Sequence, residues 1–200
     1  MDEQTKTART GGKQSVIRTL LTRYLFGFLL VIFQCVFIVL YAVHAEYGLR
    51  VVEEEVSDAR SARSAVTSSL DGDVEFFYPF FQDVHVMMFI GFGFLMTFLR
   101  RYSFSSVAFN FVVAAFTLEW AILVRGYAFF WNDETNSFRV DVKNLLQADF
   151  VCAAILISFG GVLGKTNPAQ LIVLALIEVV IQVWNQYVGI TYFCVFDAGE

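Results

Sequence analysis

Proline is nearly absent from this chain, with two in 200 residues, and histidine is equally rare. So little proline leaves room for long uninterrupted helices. The three cysteines, Cys35, Cys152 and Cys194, lie in or at the end of apolar segments. They show no C-x-x-C or metal spacing, so they read as buried thiols packing as small hydrophobes. His44 and His85 have no Cys, Asp or Glu at a spacing that would make a metal site. No Ser-His-Asp or Cys-His arrangement and no phosphate loop occurs, which leaves an enzyme reading without support and no cofactor expected. No basic cluster alternates with aromatics outside the apolar runs, which argues against a nucleic-acid partner. No Asn-x-Ser/Thr sequon is present.

What is there is hydrophobicity. Apolar residues make up 57% of the chain, 23 residues are Phe and the mean hydropathy is +0.60. Typical globular usage is about 45–50% apolar. The net charge of −5 hides a segregation of charge into the stretches between apolar blocks.

Five blocks stand out: Leu25–Val43, Val84–Leu99, Val107–Val124, Leu145–Leu163 and Leu171–Ile190. Each approaches the ~20 residues that cross a hydrocarbon core. Strand alternation is missing, so each is predicted helical, the form that satisfies its own backbone in lipid. The fold class expected is an all-α polytopic membrane protein with five transmembrane helices, its surroundings membrane lipid. Eight of the 14 Lys and Arg residues fall in the short segments 1–24, 100–106 and 164–170. That bias puts the N-terminus in the cytoplasm.

Residues 1–24 then form a cytoplasmic tail, 25–43 the first span, 44–83 an acidic outer loop containing Glu53-Glu54-Glu55, and 84–200 a four-helix core. Val43-His44-Ala45 would serve as a cleavage site if the first block were a signal peptide, but its 19 apolar residues exceed the usual ~7–15 of such a segment. A retained span is the preferred reading.

Ionisable groups inside lipid cost roughly 2.5–3.5 kcal/mol each and need an explanation. The last block carries Glu178, Gln182, Asn185 and Gln186, within a wedge of about 100° on one helix face. That face cannot point at lipid. Two readings stay open: the lining of a polar permeation path, or hydrogen bonds between helices. Glu119, next to Trp120 and within two turns of Arg125, invites a charge partner. Gly160, Gly161 and Gly164, like Gly91 and Gly93, read as places of close helix approach.

A set of segments adds a resemblance. They are Tyr78-Pro-Phe-Phe-Gln-Asp-Val-His85, Gly91-Phe-Gly-Phe-Leu-Met-Thr-Phe-Leu99 followed by Arg100-Arg101, Phe104-Ser-Ser-Val-Ala-Phe-Asn-Phe111, Ala114-Ala-Phe116 and Trp120. Asn144-Leu-Leu-Gln-Ala-Asp-Phe150, Phe159-Gly-Gly-Val-Leu-Gly-Lys165, Pro168-Ala-Gln-Leu171 and Asp197-Ala-Gly199 continue it. Together they resemble the Rh-type branch of the ammonium transporters, while the first 75 residues match only in plan.

The resemblance implies an 11–12-helix fold in two inverted halves. It also implies a plasma-membrane homotrimer, and a narrow hydrophobic pore in each protomer that passes neutral ammonia after ammonium has lost its proton. Carbon dioxide is a second candidate substrate. A bare cation in a dry pore faces a desolvation penalty that a neutral amine escapes. Phe150 matches a phenylalanine of the outer gate. Asp197 matches a buried aspartate beside the outer vestibule, and Asp149, beside the gate, is a third candidate on the substrate pathway. An Asn-Glu pair common in the last span stands here as Asn185-Gln186. The paired pore histidines of such proteins follow Asp197, and His44 and His85 are not those residues. The expectation is therefore an N-terminal portion holding half a pore, which does not conduct by itself. A non-conducting, partner-binding membrane scaffold is the alternative.

Overall fold

The computed structural model describes residues 24–47, 74–98, 103–132 and 136–195. The Glu53-Glu54-Glu55 run, Arg100, Arg101 and the Asp197-Ala-Gly199 segment lie outside the described residues. The chain forms two units, Met1–Val39 and Leu40–Glu200.

Among the described residues, five helices are long and apolar enough to cross a membrane. They are α1 (Tyr24–His44), α2 (Val74–Phe98), α3 (Ser103–Phe129), α4 (Val142–Val162) and α5 (Pro168–Thr191). The helices outrun the apolar blocks. α2 is already helical at Val74, so Tyr78, Pro79, Gln82 and Asp83 lie within the helix rather than in the loop expected over 44–83. α5 begins where Asn167 and Pro168 dictate. Proline fits the first helical position because its missing N–H has no partner there. The Gln170 side chain accepts the Asn167 backbone N–H at 2.9 Å, completing the turn.

Helix α3 is the organising element of the second unit. It packs against α4, α5, β3 and the C-terminal half of α2. Val113, Ala114, Phe116, Ala121 and Leu123 are buried on it. They meet Val151, Ile155, Leu156 and Phe159 of α4, and Ile172, Ala175, Val179 and Val183 of α5 complete the core. The four α5 residues recur every three or four positions, a one-sided stripe. On another side α5 exposes the apolar Val173, Ile177, Ile181 and Trp184, as a helix side facing lipid requires. Trp120 Nε1 donates to the Leu176 carbonyl at 3.2 Å, tying α3 to α5.

A small sheet closes one end of this unit, an addition to the all-helical plan. β1 (Ala45–Tyr47), β2 (Trp131–Asn132) and β3 (Ser137–Val140) run in the order β1-β3-β2. β1 is parallel to β3, with Ala45 opposite Phe138, and β2 is antiparallel to it. The end of α1, the end of α3 and the start of α4 therefore lie at the same end. His44, Tyr127, Trp131 and Phe138 cluster their rings there at centroid distances of 5.2–5.7 Å. The sheet can sit so close because Gly126 has no side chain: a Cβ there would overlap the Phe138 ring.

The glycine expectations need correction. Gly164 lies beyond the end of α4, with φ of 82°, and ends the helix instead of packing one against another. A Cβ at Gly161 would face open space, and one at Gly160 would meet only the Met96 methyl, 3.8 Å away. Gly91 touches Met87 of its own helix, whereas Gly93 does pack on Asn110 of α3. The cysteines divide as well. Cys152 is fully buried with its Sγ 3.5 Å from the Ala114 carbonyl, but Cys35 and Cys194 are exposed rather than packed inside.

Candidate functional site

Three polar arrangements interrupt the apolar interior of α2–α5. The first joins α2 to α4. Asp149 is fully buried, and His85 Nδ1 lies 3.3 Å from each of its carboxylate oxygens. His85 stands between Phe81 and Phe89 of its own helix, with ring centroids at 5.2 and 4.7 Å. Phe89 stacks in turn on Phe111 of α3. Just past His85, α2 loosens into a π-helical stretch, Met87–Phe92, a local form often found at functional sites. Asp149, expected to stabilise a pore mouth, is thus inside the protein with an imidazole partner. Phe150, the next residue, is 48% exposed on α4. Asp197 lies outside the described residues.

The second arrangement centres on Arg125, a residue the sequence offered only as a charge partner. It is 2% exposed near the end of α3. Its guanidinium donates to Oε1 of Gln147 on α4 and Oε1 of Gln186 on α5, and its Cζ lies 5.0 Å from the Phe129 ring centroid. Three helices meet at one cation. Gln147 is one turn before Phe150 on α4, so the clamp lies about 4.5 Å along the axis from that ring, toward the start of the helix.

The third joins α4 to α5. Ser158 Oγ donates to Glu178 Oε1 at 2.5 Å, and the other Glu178 oxygen is buried without a partner among the described residues. Asn110, Thr117 and Asn144 are also buried with side-chain polar atoms that have no partner among the described residues.

The polar face predicted on α5 thus divides. Its ends are held, Glu178 by Ser158 and Gln186 by Arg125. Gln182 and Asn185, between them, are exposed. The reason is angular. Gln186 lies within about 20° of the buried Val179 around the helix, so its side chain enters the core, while Asn185 turns about 100° away. Among the described residues no group of three or more His, Cys, Asp or Glu could hold a metal ion.

Sequence reasoning missed the His85–Asp149 pair and the Arg125 clamp. A signal for the clamp existed: Arg125 lies inside an apolar helix, where a cation needs acceptors from elsewhere.

The geometry is that of a polytopic membrane protein with a polar seam running between its last helices. A sequence model of the Ammonium Transporter Family matches residues 64–193. Ammonium transporter Rh type B-A of Xenopus laevis is 48% identical over 172 residues, which cover 84% of this chain and 36% of that protein. The Rh type B protein of Rattus norvegicus is 51% identical over 132 residues, covering 66% of this chain and 29% of its own length. The Rh type C protein of Oncorhynchus mykiss is 41% identical over 172 residues, covering 84% and 34%. This chain belongs to the Ammonium Transporter Family, and the relatives it resembles are Rh-type. It spans about a third of the length of the relatives it matches.

Proposed function

We propose that this chain contributes to an Rh-type channel that conducts neutral ammonia across the plasma membrane, with ammonium as the species present outside and carbon dioxide as a second permeant. In this reading the protein acts as a homotrimer, carries no cofactor and catalyses no covalent reaction. Its N-terminus is cytoplasmic, so the sheet end of the bundle is the outer end.

The observation that carries the reading is the divided polar face of α5. Gln182 and Asn185 are exposed within a helix otherwise built for lipid. Leaving amides against hydrocarbon is costly, whereas lining a hydrated path or packing on further helices removes that cost. The half-exposed aromatic face of Phe150, one turn inside the Arg125 clamp, supports a gate at the same end. Asp149 and Asp197 complete the assignment, Asp149 as an internal support beside the gate and Asp197 as part of the recruitment site. On this reading residues 1–200 alone hold part of one pore and do not conduct.

Stopped-flow alkalinisation of proteoliposomes tests this. The full-length protein raises ammonia permeability above that of empty vesicles, and residues 1–200 by themselves do not. Full-length protein that matches empty vesicles would overturn the channel reading in favour of a non-conducting scaffold. Flux through residues 1–200 alone would overturn the half-pore.

A further inference from the structure

Asn110 of α3 is 0% exposed, and neither its Oδ1 nor its Nδ2 has a hydrogen-bond partner among the described residues. A primary amide both donates and accepts, and leaving both capacities unused in an apolar interior is costly. One turn earlier on the same side of α3, Ser106 Oγ donates to the Met96 carbonyl of α2 at 3.4 Å. Polar side chains of α3 therefore already serve the α2 backbone at this end, and Asn110 is the next in the row.

The Asn110 amide lies against Gly93 of α2, itself buried. A Cβ on Gly93 would lie 3.4 Å from Asn110 Nδ2 and 4.0 Å from its Cγ. Among the described residues nothing else comes within 4 Å of that position, the glycine's chain neighbours and its own helix backbone aside. Glycine thus leaves room for about one small group directly beside the buried amide. The α2 backbone is irregular at the same place. The π-helical stretch Met87–Phe92 runs up to Gly93, whose N–H bonds to the Ile90 carbonyl, three residues back. A regular α-helix uses the residue four back. Where a helix in lipid changes pitch, neighbouring polar side chains and ordered water satisfy the backbone groups that are freed.

We propose that Asn110, Gly93 and the π-helical turn of α2 form a binding site for one small neutral hydrogen-bonding molecule. The occupant accepts from Asn110 Nδ2 and donates to a carbonyl of the α2 turn or to Asn110 Oδ1. Water has this chemistry, and ammonia shares it, with a lone pair and N–H hydrogens. The site is built from α2 and α3 alone. It uses none of the residues assigned to the pathway and holds whether or not the chain conducts. Filled, it ties α3 to α2 about two turns past His85.

The first test is a structure of the full-length protein in lipid nanodiscs, at a resolution that shows ordered water elsewhere in the molecule. It is determined in ammonia-free buffer and in ammonium chloride at alkaline pH. The expected result is a density peak about 2.7–3.2 Å from Asn110 Nδ2. A peak in ammonia-free buffer identifies water, and one seen only with the ammonium salt identifies ammonia. No peak under either condition overturns the proposal. The second test is thermal unfolding of Gly93→Ala, alone and combined with Asn110→Leu. An alanine Cβ at 3.4 Å makes an ordinary contact, and alanine favours a helix over glycine, so without an occupant the midpoint rises. With one, the methyl group displaces it and strands the amide, so the midpoint falls. That fall shrinks beside Asn110→Leu, where no amide is left to strand. A raised midpoint for Gly93→Ala overturns the site, and so does a fall that deepens beside the leucine, which marks a steric clash. Should Gly93→Ala fail to assemble, the density in the unsubstituted protein decides.

Discussion

Gly126 of α3 lies directly under the Phe138 ring of β3, so close that no side chain fits between them. Phe138 is 1% exposed, and its ring also meets Tyr127 with a centroid distance of 5.6 Å. This single approach seats the sheet on the end of the helix bundle. Gly126→Ala should therefore displace β3 despite the better helix propensity of alanine. Overpacking of this kind costs about 1–3 kcal/mol. Thermal unfolding in detergent should show the loss, and Phe138→Leu in the same chain should recover part of it. An unchanged or raised midpoint for Gly126→Ala would show that β3 is not held by this contact.

The His85–Asp149 pair should behave as a coupled unit. His85→Ala leaves a fully buried carboxyl without its imidazole, a loss of about 1–3 kcal/mol. Asp149→Leu removes the carboxyl that needs the partner. The double variant should be more stable than the sum of the two single losses predicts, by about 0.5 kcal/mol or more. Additive losses would mean that the two side chains are neighbours without a shared interaction.

The divided face of α5 makes a prediction about water. With Cys35 and Cys194, the two exposed thiols, changed to Ser, single cysteines can be placed at positions 181, 182 and 185. Ile181 is 62% exposed on the apolar side of the helix. In the assembled protein in liposomes, a membrane-impermeant thiol reagent should label Gln182→Cys or Asn185→Cys and leave Ile181→Cys unlabelled. Labelling confined to Ile181→Cys would put the polar face against hydrocarbon and remove the support for a permeation path.

The helical plan was legible in the sequence because membrane spans are written locally. About 20 apolar residues with charged flanks suffice, whatever they pack against. The same locality misled at the edges. Polar Gln82 and Asp83 put the start of the apolar block at Val84, yet a helix continues through polar residues where it leaves the hydrocarbon. Gly164 followed the small-residue spacing of a packing motif but serves as a helix terminator, since spacing does not reveal φ. The polar face of α5 was visible as a pattern, whereas the way it divides was not.

By itself, then, the sequence determined that this is a five-helix membrane chain, which end of each helix carries charge, and that α5 has a face unfit for lipid. Hydrophobic length and helical period fix these, and both are properties of contiguous residues. Only the tertiary structure decided that His85 reaches Asp149 across 64 positions and that Arg125 reaches Gln186 across 61. It also decided that residues 45–47 pair with residues 137–140. A buried polar group must find its partner wherever the packing of helices brings one within about 3 Å, and that distance is set by the crossing of whole elements rather than by any local run of residues.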